Sequence, residues 1–202
     1  IPNGINLKKY QYSNENRRKC RERFSIDNGM LIGCIGRLSP PKNPFYTINV
    51  AEAIINKNPD AKVVMIGDGE MREEVEQAVK EKNLQNNVIF TGAVDNVNEW
   101  MSAIDCLLMP SLFEGLPFVL VEAQAAGLPC VVSSAVSREA DLTGLVQFVD
   151  LETDKDEWAD IILNQCKLKR LDTAQKLIEA GYSIEDTAKE VSKIIMSALD
   201  KE

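Results

Sequence analysis

Leu31-Ile32-Gly33-Cys34-Ile35-Gly36-Arg37-Leu38-Ser39-Pro40-Pro41-Lys42-Asn43-Pro44 is an apolar run that breaks off into glycine, two cations and three prolines. A short apolar run bounded by such residues fits a strand buried on both faces, and the prolines stiffen the loop that leaves it. Directly afterwards Phe45, Ile48, Ala51 and Ile55 keep helical spacing. The unit is therefore strand, loop, helix.

The same unit recurs along the chain. Val63 to Ile66, Val88 to Phe90, Cys106 to Met109, Cys130 to Val132 and Leu145 to Val149 read as further buried strands, while Met71, Val75, Ala78 and Val79 mark a second amphipathic helix. Alternation of this kind predicts an α/β fold. It is a doubly wound, Rossmann-like parallel sheet of about six strands with helices on both faces. After the last strand the pattern becomes helical only, with Ile184, Ala188, Val191, Ile195 and Ala198 on one face of a final packing helix. That face suits either closure of this domain or a crossing onto another. At the other end Ile1-Pro2-Asn3-Gly4-Ile5-Asn6 reads as a turn, and Arg17-Arg18-Lys19-Cys20-Arg21-Glu22-Arg23 as a solvated basic helix face.

Composition narrows the function classes. The 202 residues suffice for one domain, or for one half of a two-domain protein. A net charge of −8 argues against a general nucleic-acid binder, although a few placed cations still suit a small anion. Cys20, Cys34, Cys106, Cys130 and Cys166 are odd in number and form no Cys-x-x-Cys pair, which points to a reduced cytosol and not to disulfides or zinc, and Cys34, Cys106 and Cys130, lying in apolar runs, read as small core residues. There is no histidine, which excludes Ser-His and Cys-His nucleophile pairs and histidine-ligated metal within this chain. No apolar stretch approaches the about 18 to 20 residues that span a bilayer. The first residues show neither a signal-peptide core nor an initiating methionine, so the chain is expected to begin within a longer protein.

Ligands of open α/β sheets bind at the carboxyl ends of the strands, and three loops with unusual chemistry lie there. Arg37 and Lys42 flank the first. Together they suit a diphosphate, the Arg binding two oxygens and the Lys adding a compact charge, or else they are solvated loop cations. The second, Gly67-Asp68-Gly69, resembles a dinucleotide turn, but Arg72 stands where the third glycine of G-x-G-x-x-G belongs. A tight turn with Asp68 offsetting helix-start amides is the preferred reading there. The third is Phe113-Glu114-Gly115-Leu116-Pro117-Phe118-Val119-Leu120-Val121-Glu122-Ala123. Pro117 suits the first position of a helix, with Glu114 in the loop before it and Glu122 on its second turn. The amides of Gly115, Leu116 and Phe118 would then face a phosphate. Glu122, a charge in an apolar run, needs a partner, and a ribose diol would supply one. Glu114 suits sugar hydroxyls or a plain surface position. The two carboxylates also match the paired acids of glycoside hydrolases, but a cationic diphosphate pocket has no place in such a site.

In their order and spacing, Gly36-Arg37-Leu38 with Lys42, Gly67-Asp68-Gly69, Phe90-Thr91-Gly92 and the Glu114-x7-Glu122 segment resemble the donor domain of group 1 retaining glycosyltransferases of GT-B architecture. The likeness continues through Ala126-Gly127-Leu128-Pro129-Cys130-Val131-Val132-Ser133. It implies a C-terminal domain, residues 1–202, that binds a nucleotide sugar, with a UDP-sugar expected, as the donor half of a hexosyltransferase. By resemblance, Arg37 and Lys42 bind the diphosphate and act in catalysis, Glu114 approaches the donor sugar and is catalytic with them, and Glu122 binds the ribose. Gly67, Asp68, Gly115, Leu116 and Pro117 complete the donor site, with the backbone of Thr91 and Gly92 near the base. Retaining transfer to a saccharide or lipid-linked acceptor follows, with no required metal and no cofactor beyond the donor. The resemblance also implies a missing N-terminal acceptor domain, a fragment inactive or nearly so alone, and a cytoplasmic enzyme of polysaccharide biosynthesis, with peripheral association at the inner membrane face left open. Nucleic acid is not an expected partner.

The chain departs from the family in two places. Asn43-Pro44 stands where glycine commonly follows the loop lysine, and Ser137-Arg138-Glu139-Ala140-Asp141-Leu142-Thr143-Gly144-Leu145-Val146-Gln147-Phe148 replaces the usual glycine-containing strand and loop beyond Ser133. Two other functions fit less well. A GT-B-like sugar-nucleotide epimerase needs acid/base groups for which the absent histidine is a poor omen, and a nucleotide-sugar-sensing module without catalysis depends on the absence of an acceptor domain.

Overall fold

The computed structural model describes residues 3–26 and 29–199. Ile1 and Pro2 of the expected opening turn lie outside the described residues, as does the side chain of Ala198. The strands are β1 (Leu31–Ile35), β2 (Lys62–Ile66), β3 (Val88–Gly92), β4 (Cys106–Met109), β5 (Cys130–Ser133) and β6 (Val146–Val149). The helices are α1 (Leu7–Tyr10), α2 (Asn14–Arg23), α3 (Pro44–Lys57), α4 (Arg72–Glu81), α5 (Val97–Ala103), α6 (Phe118–Ala125), α7 (Lys155–Gln165), α8 (Ala174–Glu179) and α9 (Ile184–Leu199).

All six strands are parallel, in the order β3-β2-β1-β4-β5-β6. Successive strand residues feed opposite cores, as a period of two requires. Val63 and Met65 pack with α3, α4 and α7, whereas Val64 and Ile66 pack with α2, α5 and α6. Both faces are thus covered, which is why the strands read as unbroken apolar runs. Against the sequence reading, β3 continues through Thr91 and Gly92, which therefore end a strand and do not follow one.

The basic segment requires a larger correction. Arg17 and Arg21, one turn apart, share the α2 face that docks onto the start of β4. Arg17 donates to Asp105 Oδ1 at 2.7 Å and Arg21 to Oδ2 at 2.6 Å, while the Leu31 amide donates to Oδ2 at 2.8 Å. Arg21 is buried and also donates to the carbonyls of Ala103 and Gly29, both at 3.0 Å. Only the other side of α2 is solvated, where Arg18 pairs with Glu22 and Lys19 with Glu15. Half of the basic run is thus an internal clamp that ties α2 to the sheet.

The entry segment is tied to the turn before α9. Ile5 donates its amide to Tyr182 O at 2.9 Å and its carbonyl receives the Ile184 amide at 3.1 Å, so the entry segment abuts the start of α9. Beyond that junction the apolar face of α9 is uncovered, with Ile184, Val191 and Ile195 exposed. It does not close the sheet of this domain.

The thiols behave as core groups. Cys20, Cys34, Cys106 and Cys130 are buried, and burial pushes Cys20 and Cys34 up to about 12. At pH 7.5 iodoacetamide is expected to label the folded protein at Cys166 alone and the urea-unfolded chain at every cysteine, as read by mass spectrometry. Rapid labelling of Cys34 in the folded state would contradict this.

Candidate functional site

Strand order reverses direction between β1 and β4, and the loops after these two strands diverge to open a crevice there. The two loops are tied across it, since the Leu112 amide donates to Pro41 O at 2.8 Å. Between them lies a cavity of about 30 Å3, lined in part by Gly36, Arg37, Lys42, Pro110 and Ser111.

The β1 loop is shaped by its neighbours. Pro40–Lys42 forms a single 3-10 turn, and Asn43 then takes a left-handed conformation (φ 53°, ψ 54°) before Pro44 opens α3. Asparagine tolerates that conformation better than most residues, so the turn is made here without a glycine. Gly67 and Gly69 serve the same loop. A Cβ on Gly67 would sit 2.0 Å from Gly36 O, and one on Gly69 2.3 Å from Leu38 O. These glycines let the β1 and β2 loops touch, and Leu38 donates its amide to Asp68 O at 3.0 Å. The Asp68 carboxylate is engaged locally, accepting from the Gly69 amide at 2.8 Å and from Arg72 at 3.1 Å. The tight turn fits this geometry, but Asp68 caps no helix amide, since α4 begins at Arg72 without a side-chain cap and Asp68 reaches it only through the Arg72 side chain.

Lys42 and Glu114 meet across the crevice as an ion pair, both side chains mostly buried. Glu114 is further fixed through its backbone, which bridges to Val136 and accepts the Ser137 amide at 3.1 Å. Arg37 is exposed and donates from Nε to Glu70 Oε2 at 3.0 Å. The Glu70 backbone amide and the Arg37 charge hold that carboxyl below its ordinary range. Each of the two cations expected to receive a diphosphate thus already holds a carboxylate.

Gly115 and Leu116 are exposed beside them, with Leu112, Phe113 and Phe118 forming an apolar rim. Pro117 lies one position earlier than the sequence suggests. It is the N-cap of α6, accepting the Leu120 amide at 2.9 Å, and Phe118 is the first helical residue. Glu122 does fall on the second turn, but it is not the buried charge its apolar neighbours imply. It is half-exposed beside the hydroxyl of Tyr10, whose pKa is raised by burial and then by this carboxylate. The buried polar side chain of α6 is Gln124, whose amide oxygen accepts from Leu142 and Thr143 and whose nitrogen donates to Ala140 O at 2.8 Å. Counting apolar neighbours missed this because helix position, not composition, decides which side chain faces inward.

Thr91 and Gly92 lie at the edge of β3, two strands from the crevice. Thr91 lines a separate depression with Asn96, Glu99 and Trp100, while Gly92 O accepts the Gly67 amide at 2.9 Å. Glu70 and Ser111 fall in strand-end loops that the sequence marks but gives no role, and Tyr10 carries no signal in the sequence, since only the packing of α1 brings it beside Glu122.

Residues 29–167 match the family described as glycosyl transferases group 1. The chain belongs to this family. Among curated group 1 relatives, the putative glycosyltransferase EpsF of Bacillus subtilis is 32% identical over 188 residues, covering 90% of this chain and 49% of EpsF. The UDP-Gal:alpha-D-GlcNAc-diphosphoundecaprenol alpha-1,3-galactosyltransferase of Escherichia coli is 35% identical over 139 residues, covering 66% of this chain and 36% of that enzyme. This group 1 chain therefore spans about half or less of these relatives' length. In solved structures its fold recurs in HepE of Anabaena bound to UDP (TM-score 0.81, 22% identity, 98% of this chain and 57% of HepE). It recurs also in the C-terminal domain of the group 1 glycosyl transferase LpcC of Francisella tularensis (TM-score 0.72, 23% identity, 90% of this chain and all of that domain). The group 1 chain thus shares the fold of that C-terminal domain. No helix among its described residues is long and apolar enough to cross a membrane.

Proposed function

We propose that this domain is the donor half of a retaining hexosyltransferase, binding a UDP-sugar between the β1 and β4 loops for transfer to a saccharide or lipid-linked acceptor. An N-terminal acceptor domain outside these 202 residues completes the enzyme in this reading. The observation that carries it is the Lys42–Glu114 pair at the sheet's switch point, where a cation and a sugar-seeking carboxylate are held together. A donor diphosphate takes Lys42 and Arg37 from their carboxylates and is neutralised by them as it becomes the leaving group, so no metal is required. Glu114, released from Lys42, then accepts hydroxyls of the sugar. Glu122 accepts the ribose diol. In the transfer the bond from the anomeric carbon to the distal phosphate breaks, the acceptor oxygen bonds to that carbon on the same face, and its proton passes to the departing phosphate. UDP-linked HepE and the UDP-galactose-named relative favour uridine as the base.

Calorimetric titration tests the site. UDP is expected to bind more tightly than GDP or ADP. Glu122→Ala should weaken UDP and uridine alike, by roughly 10- to 100-fold for loss of one charged hydrogen-bonding group. Arg37→Ala should weaken UDP and leave uridine unchanged. Equal binding by parent and both variants would remove the assignment.

A further inference from the structure

We infer that Ser111 is a third ligand for the donor's distal phosphate, a role that rests on the reading of this site given above. Ser111 is fully buried, and its Oγ has no hydrogen-bond partner, the one such buried side-chain atom among the described residues. A buried hydroxyl without a partner is destabilising and uncommon, so its retention calls for an explanation. The backbone at this position is held on both sides. Its carbonyl accepts the Ser133 hydroxyl, and the following amide, that of Leu112, is fixed to Pro41 O across the crevice at 2.8 Å.

Ser111 lines the same cavity as Gly36, Arg37 and Lys42. At about 30 Å3 this cavity admits one or two oxygen-sized groups and excludes a sugar ring or a base. Gly36 keeps the space open, since a side chain there would begin 3.3 Å from the Lys42 stem and 3.7 Å from its ammonium. A hydroxyl donor beside two cations, in a space of that size, fits one anionic oxygen. Of the donor's parts only a phosphate supplies it, and the distal phosphate is the one that must reach both Lys42 and the sugar carboxylate Glu114. The nucleotide therefore completes the hydrogen bonding that the protein alone leaves open.

The role makes two measurements move in opposite directions. In Ser111→Ala, UDP and pyrophosphate should each bind about tenfold more weakly and uridine as before, while the ligand-free thermal midpoint stays level or rises because an unpaired polar group has gone. Binding of UDP within twofold of the parent overturns the inference. So does a fall in the ligand-free midpoint with uridine and UDP weakened equally, since that marks a residue serving only the fold. Arg37→Ala and Lys42→Ala separate this from the wider reading. If they lose diphosphate affinity and Ser111→Ala does not, Ser111 alone is misassigned; if they retain it, the phosphate site lies elsewhere and both readings fall.

Discussion

Replacing Asp105 with alanine is expected to cost this domain about 3 to 5 kcal/mol, the range for removing one partner from a buried ion pair. The carboxylate receives Arg17, Arg21 and the Leu31 amide at 2.6 to 2.8 Å. Its loss removes the carboxylate that faces the buried Arg21 and the acceptor that ties the Leu31 amide of the first strand to α2. Overpacking or a cavity plays little part, because the side chain is small; the penalty is electrostatic. For a domain of this size the thermal midpoint should fall on the order of 10 °C. Asp105→Asn retains an acceptor but not the charge and should fall between. Chemical denaturation of the three proteins measures the difference, and a loss under about 1 kcal/mol for the alanine variant would show that the arginines find other partners.

Lys42→Ala is expected to raise the dissociation constant for UDP about 100-fold. Loss of one charge-assisted contact accounts for about 1.5 to 3 kcal/mol, roughly 10- to 150-fold. A second term adds to it, because Lys42 holds the Glu114 carboxylate, which is mostly buried and would face the incoming phosphate unneutralised. Two further variants separate the terms. Lys42→Ala with Glu114→Gln should recover part of the lost affinity. Glu114→Gln alone should bind UDP at least as tightly as the parent, because Lys42 no longer has a competing anion. A Lys42→Ala variant within threefold of the parent would place the diphosphate away from the crevice. A double variant no better than the single would show that the carboxylate adds no repulsion.

The fold was legible because the central strands are buried on both faces and the helices that cover them on one. Apolar runs such as Val63 to Ile66 and spaced residues such as Ile48 and Ala51 are written directly by that requirement. The loops at the carboxyl edge were legible for a related reason. Gly67 and Gly69 are forced by the closeness of Gly36 and Leu38, and the prolines by the tight turn at Lys42. The sequence pattern misled where it counted neighbours along the chain. Glu122 looked fully buried and Arg21 looked solvated, whereas the structure leaves the first partly exposed and buries the second. Linear context does not say which side of a helix meets the sheet, and for an isolated charge that side decides everything.

From the residues themselves came the parallel α/β order, the family and the three loops that gather at one edge of the sheet. The parallel α/β order and the loops follow from periodicity and from turn chemistry, which act between near neighbours, and the family from the resemblance of the ordered motifs. Tertiary structure alone decided that Lys42 is paired with Glu114 and Arg37 with Glu70, that Tyr10 lies beside Glu122, and that Ser111 has a hydroxyl with nothing to bond. These are contacts between distant segments. Their existence depends on the order in which β1 and β4 are laid side by side, and no local rule of sequence contains it.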